Sequence, residues 1–198
     1  PYGCAKAFAA HMVTIYRKTF GHFAVNGIIF NHESPRRGEN FVTRKICRAA
    51  AAIKLGQQKE LLLRFSRLVD GLLHRAIKLG QQKELLLGDT SAKRDWGSAQ
   101  DYVRGMWLAL QHATAEDYIF ATGKLHSVQD VVETAFATVN LDWRQHVRKD
   151  NRLLRPAEPQ RLCGNPAKAR RLLNWEPAIT FKQLIEEMTK SELALLGS

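Results

Sequence analysis

Apolar residues recur at helical spacing in several stretches of the chain. From residue 2 to about 20 they follow a period close to 3.6, and Gly21 predicts where that helix ends. The same pattern predicts helices over 41–56 and over 181–195. Another helix is predicted to begin at Ser127, because Ser127 and Asp130 have the spacing of a capping box.

Short continuous apolar runs alternate with these helices, which predicts an α/β fold. Residues 23–30 and 118–123 are typical of buried strands. In a doubly wound sheet, ligands bind beyond the carboxyl ends of the strands. The polar residues that follow the first run, from Asn31 to Arg37, are therefore expected to carry function.

Several polar residues further along are predicted to have structural roles. Asp95 precedes a helix that includes 101–103, and we expect it to cap that helix or to pair with an arginine. Asp101 is expected to order a loop rather than to touch a ligand, and His126 is taken as structural. The basic segment 140–152 is predicted to be a loop.

One segment of the chain is duplicated without change. Residues 52–63 recur as 76–87, an offset of 24 residues, and a single duplication is not a solenoid. The least disruptive arrangement ends the helix with the first copy and forms a strand from the second, at about 83–87. Residues 57–80 then form an excursion whose apolar spacing fits an amphipathic helix that helps self-association. The alternative is a tolerated insertion.

Composition is that of a soluble globular protein with one sizeable core. The chain has 198 residues, of which 45% are hydrophobic and 25% charged, and no apolar run approaches the roughly 20 residues of a membrane span. The net charge is +11, but the basic residues are scattered, so neither nucleic acid nor membrane is predicted as a partner. Three widely spaced cysteines predict neither disulfides nor a metal site, and favour the cytoplasm.

Candidate chemistry begins at the second residue. Tyr2 and Lys6 form a Tyr-x-x-x-Lys pair on a predicted helix, where residues i and i+4 share a face. A free tyrosine has a pKa of about 10, and a nearby cation favours the phenolate. A tyrosine in this setting can act as a general base, although the same spacing also occurs on ordinary helix surfaces.

Longer motifs place this pair in a family. They are Pro1-Tyr2-Gly3 before Lys6, the run from Asn31-His32-Glu33-Ser34-Pro35-Arg36-Arg37-Gly38-Glu39-Asn40 to Lys45, Lys93-Arg94-Asp95-Trp96-Gly97, and Asp101-Tyr102-Val103. Together they resemble the GDP-mannose 4,6-dehydratases, which are extended short-chain dehydrogenase/reductases. The resemblance covers nearly the whole chain apart from the duplication.

The resemblance implies a fold and a division into domains. The chain looks like the second half of such an enzyme, so we expect a partial NAD(P)-binding Rossmann-like fold that lacks its N-terminal half, plus the smaller α/β substrate-binding domain. Residues 1–40 would be the distal part of the NADP-binding domain. Residues 41–198 would be mainly the substrate-binding domain with returning Rossmann elements, interrupted by the 57–80 excursion.

The resemblance also implies roles for individual residues. Tyr2 and Lys6 would be catalytic and would contact NADP together with His32 and Arg37. The residues implied to bind GDP-mannose are Asn31, Lys45, Arg94, Arg155 and Glu158. A homo-oligomer, either a dimer or a tetramer, is expected.

The implied reaction converts GDP-D-mannose to GDP-4-keto-6-deoxy-D-mannose by NADP-dependent internal redox and elimination of water. The 198 residues contain no glycine-rich dinucleotide fingerprint. The family's hydroxyl-polarising Ser/Thr and its second base, a Glu, lie upstream, so this chain alone is expected to be nearly inactive. The alternatives are a non-catalytic remnant or assembly module, and a related nucleotide-sugar reductase or epimerase.

Overall fold

A computed structural model gives the fold of residues 1–56, 85–149 and 161–198. The helices are α1 (Tyr2–Phe20), α2 (Val42–Lys54), α3 (Ala99–Gln111), α4 (Val128–Thr138), α5 (Ala167–Leu173) and α6 (Phe181–Gly197), with a 3-10 turn at Trp143–Gln145. The strands are β1 (Gly27–Ile29), β2 (Asn31–Glu33), β3 (Leu85–Leu87), β4 (Lys93–Arg94), β5 (Trp96–Ser98), β6 (Tyr118–Phe120), β7 (His126–Ser127), β8 (Val147–Lys149) and β9 (Arg161–Leu162). Within these ranges, no helix is long and apolar enough to cross a bilayer.

The first of two compact units comprises 1–32, 95–124 and 163–180. In it β1 runs parallel to β6, and Gly27 lies opposite Tyr118. An aromatic core lies beside this pair, with the ring of Phe120 edge-on to Trp175 at a centroid distance of 5.1 Å. Helices α3 and α5 pack against β6 and against each other, so they enclose this core.

The second unit comprises 33–94, 125–162 and 181–198. Its centre is a three-helix packing in which α2, α4 and α6 contact one another in pairs. Four consecutive alanines, 49–52, are buried on α2, and their small side chains allow the neighbouring helices to approach closely. Two small sheets accompany the helices: β3 runs parallel to β8, and β4 lies between β7 and β9.

Three predictions based on local pattern are confirmed. Helix α1 ends at Phe20, and Gly21 takes the left-handed conformation with φ of 68°. Ser127 and Asp130 form the predicted capping box, in which each side chain accepts from the other residue's backbone N–H. The last helix also lies where its amphipathic pattern placed it.

The prediction of one buried strand over 23–30 is wrong in extent and in burial. The strand covers only Gly27–Ile29, and the Ile28 side chain is 49% exposed. Side chains alternate between the faces of a strand. Val25 and Ile29 therefore pack against the aromatic core, and Ile28 lies on the opposite face.

The prediction of a loop over 140–152 is also wrong for part of that segment. Val147–Lys149 forms β8, which pairs in parallel with β3, Val147 lying opposite Leu85. One buried valine in a basic stretch is too weak a local signal for a strand. Pairing with a distant segment of the chain stabilises β8.

The duplicated segment contributes a strand through its second copy, as predicted, because Leu85–Leu87 forms β3. The helical end of the first copy also lies where it was predicted, since α2 runs to Lys54 and Gly56 is left-handed with φ of 68°. The predicted excursion over 57–80 lies outside the described residues. Its proposed role in self-association stays a prediction.

The thiol of Cys47 is fully buried, so a reagent in solution should not reach it in the folded protein. Burial raises its pKa from 9.0 to about 12, whereas Cys4 and Cys163 are exposed. Because the folded state holds this proton more tightly than the unfolded chain, a contribution to stability is lost as the pH rises from about 9 towards 12. At pH 8 a thiol reagent should modify Cys4 and Cys163 in the folded protein, and Cys47 only after denaturant is added. Fast reaction of all three thiols would contradict the burial of Cys47.

Candidate functional site

Tyr2 is the first residue of α1, and Lys6 lies one turn further along the same face. The Lys6 Nζ is 6.0 Å from the centre of the Tyr2 ring, and the Tyr2 side chain is 78% exposed. The phenol therefore stands open to a ligand, with a cation near its ring. This arrangement fits the general-base role that the sequence predicts.

Polar contacts at the far half of α1 hold this helix in the first unit. Arg17 donates to the Ala24 carbonyl oxygen at 3.0 Å and pairs with Asp117 at 2.7 Å. The Asn26 side chain donates to the Ala10 carbonyl oxygen at 3.1 Å. The Arg17 guanidinium holds the pKa of the Asp117 carboxyl below its usual range, because a cation that donates a hydrogen bond favours the carboxylate. A charged pair at the start of β6 thus orients the helix that carries Tyr2.

Asn31 and His32 lie on β2, and both side chains are partly buried. His32 Nδ1 is 3.0 Å from the carbonyl oxygen of Phe30. A carbonyl oxygen can only accept, so this hydrogen bond requires the tautomer that carries the proton on Nδ1. In the neutral ring with this tautomer, Nε2 is the nitrogen that can accept from a ligand.

Arg37 lies in the turn after β2, in the second unit, with its guanidinium held on two sides. Its Nε is 3.2 Å from Glu33 Oε2, and its central carbon is 3.4 Å from the centre of the Phe41 ring. An arginine stacked on an aromatic face keeps a fixed plane, which suits bidentate recognition of a phosphate. Arg36, its neighbour, is exposed.

Lys45 and Arg94 lie on α2 and β4 of the second unit, and both are partly buried. Arg94 Nη1 donates to the Lys93 carbonyl oxygen at 2.8 Å. Arg155 and Glu158 lie outside the described residues. The structure thus places Tyr2 and Lys6 on one helix and Asn31 and His32 on one strand. Arg37, Lys45 and Arg94 belong to the second unit.

The prediction that Asp95 caps α3 is wrong, because Ser98 caps that helix. Asp95 is fully buried, and its carboxylate instead accepts hydrogen bonds from Thr122, Gly123 and Gly164. Local sequence suggested a cap since an aspartate precedes the helix by four residues. The carboxylate is satisfied by loops that are distant in sequence.

Sequence reasoning placed Glu33 in the stretch expected to carry function but did not predict its burial, and it missed Glu192. Glu33 is 2% exposed and accepts from the Thr43 hydroxyl at 2.6 Å, and Glu192 of α6 is 1% exposed. A signal for Glu192 was present in the pattern. It lies four residues after Met188 and seven after Ile185, on the stripe that α6 buries.

Comparison with known proteins decides the family. The family model described as GDP-mannose 4,6 dehydratase matches residues 1–67 and 69–188. The chain belongs to the GDP-mannose 4,6-dehydratase family. It is 43% identical over 196 residues to GDP-mannose 4,6 dehydratase 1 of Arabidopsis thaliana, covering 98% of this chain and 47% of that protein. It is 41% identical over 213 residues to the Homo sapiens GDP-mannose 4,6 dehydratase, covering 99% and 51%. The chain spans about half the length of these curated relatives.

Solved structures confirm the fold class of this dehydratase-family chain. RMD from Pseudomonas aeruginosa, complexed with NADPH, matches with a TM-score of 0.79 at 22% identity over 98% of this chain and 57% of that chain. The UDP-glucose 4-epimerase of Thermotoga maritima, with UDP-glucose, matches with a TM-score of 0.73 at 18% identity over 99% and 54%. The fold is the α/β fold of extended short-chain dehydrogenase/reductases, of which this chain covers about half.

Proposed function

We propose that this chain supplies the catalytic Tyr-Lys pair and the substrate-binding region of a GDP-mannose 4,6-dehydratase. The proposed reaction converts GDP-D-mannose to GDP-4-keto-6-deoxy-D-mannose with NADP. The observation that carries the proposal is the open Tyr2 phenol with Lys6 beside it, at the start of a helix in a chain of this family. Family membership supports the substrate class.

In this proposal Tyr2 accepts the proton of the sugar's 4-hydroxyl, and Lys6 stabilises the phenolate that does so. NADP, when bound, supplies reversible hydride acceptance. Tyr2, Lys6, His32 and Arg37 would hold it. The chemistry of this set fits such a group, because it combines an acceptor nitrogen with cations that suit a phosphate. Asn31 would contact the sugar.

GDP-mannose itself is proposed to bind mainly through the second unit. Lys45 would face its diphosphate and Arg94 its nucleotide end. In the undescribed segment, Arg155 would pair with a phosphate and Glu158 would accept from a ribose hydroxyl. We further propose that residues 1–40 belong to the cofactor domain and 41–198 mainly to the substrate domain. The inclusion of 95–124 and 163–180 in the first unit supports the expected return of the chain to the cofactor domain. A cytoplasmic homo-oligomer is part of the proposal.

We propose that the 198-residue chain alone has little or no turnover, because its sequence contains no glycine-rich dinucleotide fingerprint. Substrate binding is therefore the sharper test. At 100 times its Kd, a ligand that binds only the folded state adds about 2.7 kcal/mol to stability. For a domain of this size that corresponds to a rise of roughly 5–10 °C in Tm.

A thermal unfolding scan with GDP-mannose is expected to show this rise, and UDP-glucose is expected to give a smaller one. Arg94→Ala should remove most of the shift. Arg171→Ala is the matched control, because it removes an exposed arginine of α5 that has no assigned role. Equal shifts with both nucleotide sugars, or no shift with either, would contradict the proposed substrate.

A further inference from the structure

A chain of charged contacts links the last helix to the turn that carries Arg37. Glu192 of α6 accepts from Arg44 Nε through Oε1 at 2.6 Å and from Arg48 Nη1 through Oε2 at 3.1 Å. Arg44 extends a second nitrogen, Nη1, to the main-chain carbonyl oxygen of Arg37 at 2.5 Å. One guanidinium therefore joins a buried carboxylate to the backbone of the turn.

The side chain of Arg37 is held separately from its backbone. Glu33 contacts its Nε and Phe41 covers one face of the guanidinium. Glu33 is itself fixed by the Thr43 hydroxyl. Two buried carboxylates thus act on one residue: Glu33 on the side chain directly, and Glu192 on the main chain through Arg44.

We infer that Glu192 is a positioning residue that sets the place of Arg37 through Arg44. The inference rests on the proposed function for what Arg37 contacts, the cofactor, but the positioning itself concerns only residues of the second unit. Arginine suits the bridging role, because its planar fork offers several donors in fixed directions. Without Glu192, Arg44 would lose its buried partner at 2.6 Å and would keep the exposed Glu39, 4.0 Å from its Nη2.

A purely stabilising role makes a different prediction from a positioning role. A buried ion pair is weak evidence of stabilisation, because desolvation of the charges offsets their attraction. If Glu192 only stabilised the unit, its loss would loosen α2, α4 and α6 together. If it positions Arg37, its loss would act first on the turn over 34–41.

Hydrogen exchange read by mass spectrometry on the full chain separates these two roles. In Glu192→Gln, exchange in peptides spanning 34–41 should rise about tenfold, because the neutral amide accepts from Arg44 more weakly than the carboxylate does. The middle of α4 and α6 should keep its protection. Glu187→Gln is the matched control, since Glu187 is exposed on the same helix and should leave the turn unchanged. No change in the turn, or an equal rise in all three helices, would overturn the inference.

NADPH binding, followed by its fluorescence, tests the connection to the proposed function. Glu192→Gln should weaken binding about tenfold, as should Arg37→Ala. The double variant should bind no more weakly than Arg37→Ala, because Glu192 acts through Arg37. Additive losses would overturn the inference. If the unmodified chain does not bind NADPH, the proposed cofactor role fails for this chain, and hydrogen exchange still decides the positioning.

If Glu192→Gln does not fold, Arg44→Lys tests the same inference. Lysine keeps a positive charge beside Glu192 but lacks the fork that reaches both the carboxylate and the Arg37 carbonyl oxygen. It should increase exchange in 34–41 as Glu192→Gln does. A turn in Arg44→Lys that exchanges as slowly as the unmodified one would contradict the bridging role of Arg44.

Discussion

Asp95→Ala is expected to lower the free energy of unfolding by about 4 kcal/mol, a large part of the stability of an ordinary domain. The Asp95 carboxylate is fully buried and accepts through both oxygens. Oδ1 accepts from the Thr122 backbone N–H at 2.8 Å and its hydroxyl at 2.6 Å, and Oδ2 accepts from Gly123 and Gly164 at 2.9 and 3.2 Å. Truncation leaves several donors without an acceptor, and each such buried group costs about 1–3 kcal/mol.

Urea denaturation followed by tryptophan fluorescence measures this loss. Asp142→Ala is the matched control, because Asp142 also accepts a backbone N–H, from Arg144 at 3.1 Å, but is exposed. It should cost about 1 kcal/mol, the usual cost of a lost cap. Asp95→Asn keeps the shape but turns an amide group towards backbone donors, so it should lie near Asp95→Ala. Equal effects of Asp95→Ala and Asp142→Ala would show that the buried contacts of Asp95 add little.

Sequence predicts best the helices whose limits depend on residues within or directly beside them. Helix α1 follows from its apolar spacing and from Gly21, and the start of α4 follows from Ser127 and Asp130. Strand β8 was missed because its stability comes from pairing with β3, which the local sequence does not encode. The extent of β1 was overestimated for a related reason, since only the alternate residues that face the core are covered.

The residues of the candidate site also differ in how far the sequence predicts them. A family motif pointed to Tyr2 and Lys6, and their helical spacing placed them together. The supporting charges were not predicted, because the role of a buried carboxylate depends on what a distant element brings to it. For Glu192, the helix pattern predicts that the side chain is buried. Only the packing of α6 on α2 brings Arg44 and Arg48 to its carboxylate. Sequence motifs thus point to the proposed ligand-binding groups, whereas the groups that hold them depend on packing between distant elements.

Gly105→Ala should lower the free energy of unfolding by about 3 kcal/mol, although alanine is normally favoured over glycine within a helix by about 1 kcal/mol. A Cβ at this position of α3 would lie 2.4 Å from Phe120 Cε1 and 2.8 Å from Trp175 Nε1. Neither ring can easily move. Both are fully buried, and Trp175 Nε1 donates to the Asp101 carbonyl oxygen at 2.8 Å. The methyl group must therefore displace a packed aromatic core.

Gly3→Ala is the matched control for this substitution, because Gly3 also lies in a helix but no atom outside its own helix backbone and chain neighbours lies within 4 Å of its added Cβ. It should leave stability unchanged or raise it by up to about 1 kcal/mol. Phe120→Leu should be destabilising alone, yet it should reduce the cost of Gly105→Ala, since the smaller side chain makes room for the methyl group. Strictly additive losses in the double variant would mean that Gly105→Ala acts through something other than its contact with Phe120. A favourable coupling between the two substitutions would locate the loss in this aromatic core, and would show that the absence of a side chain at Gly105 allows α3 to approach β6 closely.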